Sequence, residues 1–217
     1  MNNFDFTTIN EFDNHINHSI KGYDVLHSLI ITMSSFFLKK NSTVIDLGCT
    51  SGRLLSTIKQ TYSNIDMVCK GYDITDANFI SIEGIELIKQ DITDYAFVIP
   101  ECEIVYSIFT LQFLPMNMRP MVLSKIYHSM KQNGALFICE KEICRDGRGQ
   151  EVFTFSNYDY KSKNFTSAEI LTKEQGLRAV MNPLPVGQNI DLLKRAGFSS
   201  IEPFFQSLNF RGYLCLK

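Results

Sequence analysis

The residues with the clearest chemical capacity lie in one short run, Asp46-Leu47-Gly48-Cys49-Thr50-Ser51-Gly52. An apolar, β-branched segment ending at Leu47 leads into it, and a helix-forming stretch, Arg53 to Thr61, leads out. Gly48 and Gly52 let such a turn bend sharply and let a ligand lie against bare backbone. The spacing is not the GxGxxG phosphate cradle, because the third residue after Gly48 is Ser51, and no P-loop lysine follows. An acid beside the loop suits an ammonium group better than a pyrophosphate. Two further acids recur at equivalent places. Asp73 follows the strand-like run Met67 to Tyr72, where a carboxylate can take two ribose hydroxyls. Asp91 follows Ile85 to Lys89, where it can accept from an adenine amino group. For either aspartate alone, a helix N-cap is the commoner job at a strand end. Three acids at consecutive strand ends describe a nucleoside with a positively charged tail, which is S-adenosylmethionine.

The elements that must position these acids alternate along the chain. Strand signals at 43–47, 67–72, 85–89, 103–111 and 135–139 are interleaved with helical spacing at 53–61, 117–131, 166–181 and 189–196. Gly197 is placed to stop the last helix. Two strand-like runs about Asn209-Phe210-Arg211-Gly212 predict a closing hairpin with an antiparallel strand at or near a sheet edge. Before the first strand, helical spacing at 10–19 and 24–38 predicts a helical lid within residues 1–40. The expected architecture is α/β: a Rossmann-like class I methyltransferase fold with a mostly parallel seven-stranded sheet, in one domain over residues 1–217.

Composition narrows the function classes. With 21 basic against 23 acidic side chains, the formal charge of −2 carries no footprint for direct nucleic-acid binding or an anionic membrane. The longest apolar runs are broken by Ser and Thr and closed by Lys39 and Lys40, so none is expected to cross a bilayer. The polar, acidic start has no export signal, and the six cysteines form no CxxC pair, so reduced thiols and a cytoplasmic location are expected. No metal-ligand spacing accompanies the four histidines.

The chain also resembles the carboxy-S-adenosylmethionine synthases. The similar segments are Gly22-Tyr23, Asp46 to Thr50, Phe109-Thr110-Leu111-Gln112-Phe113-Leu114, Gly134-Ala135-Leu136 with Glu140-Lys141, Asp159-Tyr160-Lys161, Ala196-Gly197-Phe198, and Phe205-Gln206 with Asn209-Phe210. That family builds a carboxylated cofactor from S-adenosylmethionine and prephenate for tRNA wobble-uridine modification. The resemblance implies cofactor contacts at Tyr23, Gly48, Cys49, Thr50, Asp73, Ile74, Asp91, Ile92 and Ile108, the last standing where the family has Asn. It also implies a homodimer. The family's Lys-Arg pair, whose arginine grips the carboxylate, is Lys173-Glu174 here. Because a carboxylate facing a carboxylate is repelled, the expectation is that this grip is lost. Arg178, one turn on, could replace it, but an i,i+4 pair with Glu174 is the expected use.

Three functions follow. The first is an S-adenosylmethionine-dependent transferase that passes a methyl or alkyl group to a small-molecule acceptor, with Tyr106, Tyr160, Glu174 and His128 as candidate bases. The second is a carboxy-S-adenosylmethionine synthase in which Arg178 stands in. The third is a non-catalytic cofactor-binding module. An aromatic cluster, Phe153, Phe155, Tyr158 and Tyr160, is either core packing or a wall for the acceptor.

Overall fold

The computed structural model describes residues 12–178 and 180–217. The expected residues 1–11 of the lid and position 179 of the helix at 166–181 lie outside them. Two helices, α1 (Phe12–Ser19) and α2 (Tyr23–Ser34), precede β1 (Ser42–Leu47) and α3 (Arg53–Thr61). Then come β2 (Met67–Asp73), β3 (Ile85–Lys89), β4 (Cys102–Ile108), α4 (Arg119–Ser129) and β5 (Met130–Ile143). The chain continues through α5 (Gly147–Lys161), α6 (Ser167–Leu177), the two-residue β6 (Leu184–Pro185) and α7 (Val186–Ala196). It ends in the hairpin β7 (Ser200–Ser207) and β8 (Phe210–Leu216).

The main sheet has the order β3-β2-β1-β4-β5-β8-β7. β1 to β5 pair in parallel, and β8 runs antiparallel between β5 and β7. β6 pairs with the far end of β5. The centre is buried on both faces, so β1 and β4 read as near-continuous apolar runs. Alternate residues then serve opposite layers. Ile45, Val105, Leu136 and Ile138 pack with Val122, Leu123, Ile126 and Leu193 of α4 and α7. Val44, Ile104, Phe137 and Cys139 pack with Leu26, Ile30, Leu55 and Ile58 of α2 and α3. The order reverses between β1 and β4, and a crevice opens there at the strands' carboxyl ends.

The structure departs from the sequence reading at several elements; α2 stops at Ser34 rather than residue 38, α4 spans Arg119–Ser129 rather than 117–131, and α6 stops at Leu177 rather than residue 181. β4 stops at Ile108 rather than running to residue 111, because Phe109 takes a left-handed φ of 59° and a single 3-10 turn, Leu111–Phe113, follows. β5 is much longer than 135–139, its start disguised by the polar run 131–134 and a register shift opposite Cys102 and Ile104. The stretch holding Phe153, Phe155, Tyr158 and Tyr160 is a helix, α5, capped by Asp146 accepting from the Gly149 N–H. α7 begins at Val186, directly after Pro185, not at residue 189.

Candidate cofactor-binding site

A cavity of about 330 Å³ fills the crevice. The end of β1 forms its floor. Gly48 holds φ 78° there, and a Cβ at that position would run into the Thr110 hydroxyl, which itself donates to the Leu47 carbonyl at 2.8 Å. Glycine is therefore required twice over, by backbone conformation and by space. Asp46 is buried, lines the cavity, and accepts no hydrogen bond from any described residue. Burial, then the neighbouring Asp73, pushes its carboxyl up to about 8.

Asp73 is tied more closely. Its Oδ2 accepts from the Thr50 N–H at 3.0 Å and its Oδ1 from the Thr75 N–H at 3.2 Å. Burial raises its carboxyl, and these backbone donors partly offset the rise. Asp91 accepts from the N–H and hydroxyl of Thr93, at 2.8 and 2.6 Å, so it closes a turn as well as lining the cavity. Tyr23, Cys49, Thr50, Ile74, Ile92 and Ile108 line the same space. Gly52 does not; it caps α3 at φ 81°, with Leu87 pressed against the place where a Cβ would sit.

The other candidates divide sharply. Tyr106 is fully buried in the core, its hydroxyl 2.7 Å from Ser34 Oγ on α2, and it does not reach the cavity. His128 is an exposed residue of α4 whose Nδ1 lies 2.7 Å from the Ser124 carbonyl oxygen. Tyr160 donates to the Asn17 carbonyl at 2.7 Å, which binds α5 to α1. Arg178 is exposed at the end of α6. Only Glu174 of this group lines the cavity, and it pairs with Lys161 at 2.7 Å rather than with Arg178. The aromatic wall is also elsewhere. Tyr23, Phe109 and Phe210 line the cavity as a wall: Tyr23 stacks on Phe109 with centroids 6.2 Å apart, and Phe210 meets Phe109 edge to face at 5.5 Å. Phe155 is 63% exposed on α5.

Sequence reasoning missed the basic side of the cavity. Lys141 of β5, Lys161 of α5 and Lys173 of α6 all line it, around Glu174. Burial would raise the Glu174 carboxyl, but Lys141, Lys161 and Lys173 outweigh it and hold it below its ordinary range. Burial, then Lys161, brings the Lys173 ammonium down to about 8. The signal for two of these lysines was present in Glu140-Lys141 and Asp159-Tyr160-Lys161, segments that carry the resemblance. Nothing in their spacing brings positions 141, 161 and 173 together; the crossover after β5 does.

Behind the wall lies a buried brace. Glu140 accepts from the N–H groups of Leu111 and Gln112 at 2.9 and 2.8 Å. Arg119, 2% exposed, donates to the carbonyls of Leu114, Gln112 and Asn182. The Gln112 side chain accepts from the Lys141 N–H at 2.8 Å. The turn after β4 is thereby fixed to β5 and α4.

The fold is shared with solved methyltransferases. Human N-acetylserotonin methyltransferase, determined in complex with SAM, superposes with a TM-score of 0.61 at 18% identity, over 90% of this chain and 52% of that one. The pyocyanin biosynthetic protein PhzM superposes at 0.56 and 14% identity, over 86% of this chain and 53% of its own. The chain thus spans about half the length of these structures. No family model matches the sequence. Among curated proteins, carboxy-S-adenosyl-L-methionine synthase of Shewanella sp. (strain ANA-3) is 31% identical over 99% of this chain and 92% of its own length. The synthase of Staphylococcus epidermidis is 29% identical over 97% and 94%. The architecture and the crevice define a class I methyltransferase fold. Within that class the chain belongs to the carboxy-S-adenosyl-L-methionine synthase family.

Proposed function

We propose that this protein is an S-adenosylmethionine-dependent enzyme that makes the carboxylated cofactor its relatives are named for, with prephenate as carboxyl donor. The residues present suit the cofactor. Asp46 is a buried acid without a partner among the described residues, as an ammonium site requires. Asp73 and Asp91 flank it on the β2 and β3 side, for the ribose and the adenine, with Ile74 and Ile92 beside them. Bound S-adenosylmethionine supplies a methyl carbon activated by the adjoining sulfonium. Tyr23 and Phe109 wall that region, exclude water, and offer π-faces to a cation.

The observation that favours carboxylation over simple methyl transfer is the group of three lysines at the cavity's other side. With one carboxylate among them, that side keeps an excess of positive charge suited to an anionic co-substrate. The loss expected from Glu174 alone is therefore offset, because its charge is taken by Lys161. On this reading the chain is one domain, with residues 1–40 as its lid, and it works as a cytoplasmic homodimer on small molecules without touching nucleic acid. Six free cysteines support the reducing compartment. Among the described residues no helix is long and apolar enough to cross a membrane. The test is the mass of the ligand released when the freshly purified protein is denatured. A carboxylated cofactor is expected; S-adenosylhomocysteine alone would favour a methyl transferase instead.

A further inference from the structure

The three lysines are not equivalent. Lys161 is buried at the end of α5, and its ammonium pairs with Glu174 at 2.7 Å, with side-chain exposures of 8% and 17%. Lys173, next to Glu174 on α6, reaches across to His15 Nε2 and to Ser19 Oγ of α1, the latter at 3.2 Å. Lys141 differs from both. Its backbone N–H is used by Gln112, while its ammonium makes no hydrogen bond or ion pair with any described residue and lines the cavity. A largely desolvated ammonium that no described group hydrogen-bonds, and that Glu174 attracts only through space, is costly, and the cost is recovered when an anion arrives. The carboxylate able to compete for it, Glu174, is already engaged.

We propose that Lys141 is the residue that holds the carboxylate of the ligand, and that Glu174 serves as the internal counter-ion of Lys161 rather than as a ligand-binding group. This rests on the synthase reading and assigns its anion-binding residue. Three elements set the arrangement. β5 carries Lys141 one residue beyond Glu140, whose buried carboxylate braces the turn at Leu111 and Gln112. α5 and α6 bring the Lys161–Glu174 pair alongside, and the pair takes one positive and one negative charge out of the competition. Removing the Glu174 charge leaves Lys161 free to add to the grip, so the grip strengthens.

The experiment is titration calorimetry with two probes, S-adenosylmethionine and synthetic carboxy-S-adenosylmethionine, on the full chain and on Lys141→Met, Lys141→Arg and Glu174→Gln. The parent is expected to prefer the carboxylated probe. Lys141→Met is expected to lose about tenfold or more of that preference, the scale of one charge-assisted hydrogen bond, while binding S-adenosylmethionine as before. Retained S-adenosylmethionine binding also shows that the variant is folded. Lys141→Arg should restore the preference, and Glu174→Gln should increase it. A Lys141→Met variant with its preference intact would overturn the proposal, as would a Glu174→Gln variant that loses it. A parent that binds neither probe would instead count against the cofactor reading itself.

Discussion

Asp46 carries the sharpest consequence at the scale of single residues. Its carboxyl is pushed up to about 8, by burial first and by Asp73 second. A cationic ligand favours the ionised form, so binding must release a proton below that value. Affinity for S-adenosylmethionine is expected to rise with pH up to about 8 and then level off, and Asp46→Asn should bind weakly with that dependence flattened. Calorimetry across a pH series checks both. The ligand-free protein should behave in the opposite sense. An acid whose folded pKa exceeds its unfolded value, here 3.8, loses stability as pH rises through that window, so melting temperature should fall between about 4 and about 8. Tyr106 offers a contrasting test. Tyr106→Phe removes its bond to Ser34 and should cost about 1 kcal/mol of stability while leaving cofactor affinity unchanged. Reduced affinity in that variant would return Tyr106 to the site.

At the scale of elements, the loops after β1 and β4 decide whether a site exists. Gly48→Ala forces a side chain onto a φ of 78° and into Thr110. It should cost about 1–2 kcal/mol from the backbone alone and sharply weaken cofactor binding, as thermal melts and titration would report. Glu140→Gln leaves the N–H groups of Leu111 and Gln112 sharing one carbonyl oxygen, and a loss of about 1–3 kcal/mol is expected in denaturant unfolding. The elements differ in how far their residues announce them. α3 and β3 keep the bounds that the sequence implies, since Gly52 and Gly84 mark their starts with positive φ. α5 was hidden for a physical reason. Its first turn holds Gly147 and Gly149, both poor helix formers, and its aromatics do not make a single apolar stripe. The acids of the site were legible because each lies at a strand end. The lysines were not, because only tertiary packing unites β5, α5 and α6.

At the scale of the whole molecule, the order reversal between β1 and β4 divides the cavity by charge. Asp46 and Asp73 come from the ends of β1 and β2 and Asp91 from the loop after β3, on one side of it. Lys141 comes from the end of β5, and Lys161 and Lys173 from the crossover beyond it, on the other. On the proposed reading, a cationic nucleoside and an anionic co-substrate are each offered complementary charge across one crevice. The two N-terminal helices, α1 and α2, complete the enclosure through Ile16, Ser19 and Tyr23. The most direct test is mass spectrometry of the products after the protein is incubated with S-adenosylmethionine, with and without prephenate. A cofactor heavier by one carboxyl group, formed only when prephenate is supplied, is the expected result. S-adenosylmethionine bound but returned unchanged in both mixtures would contradict the account.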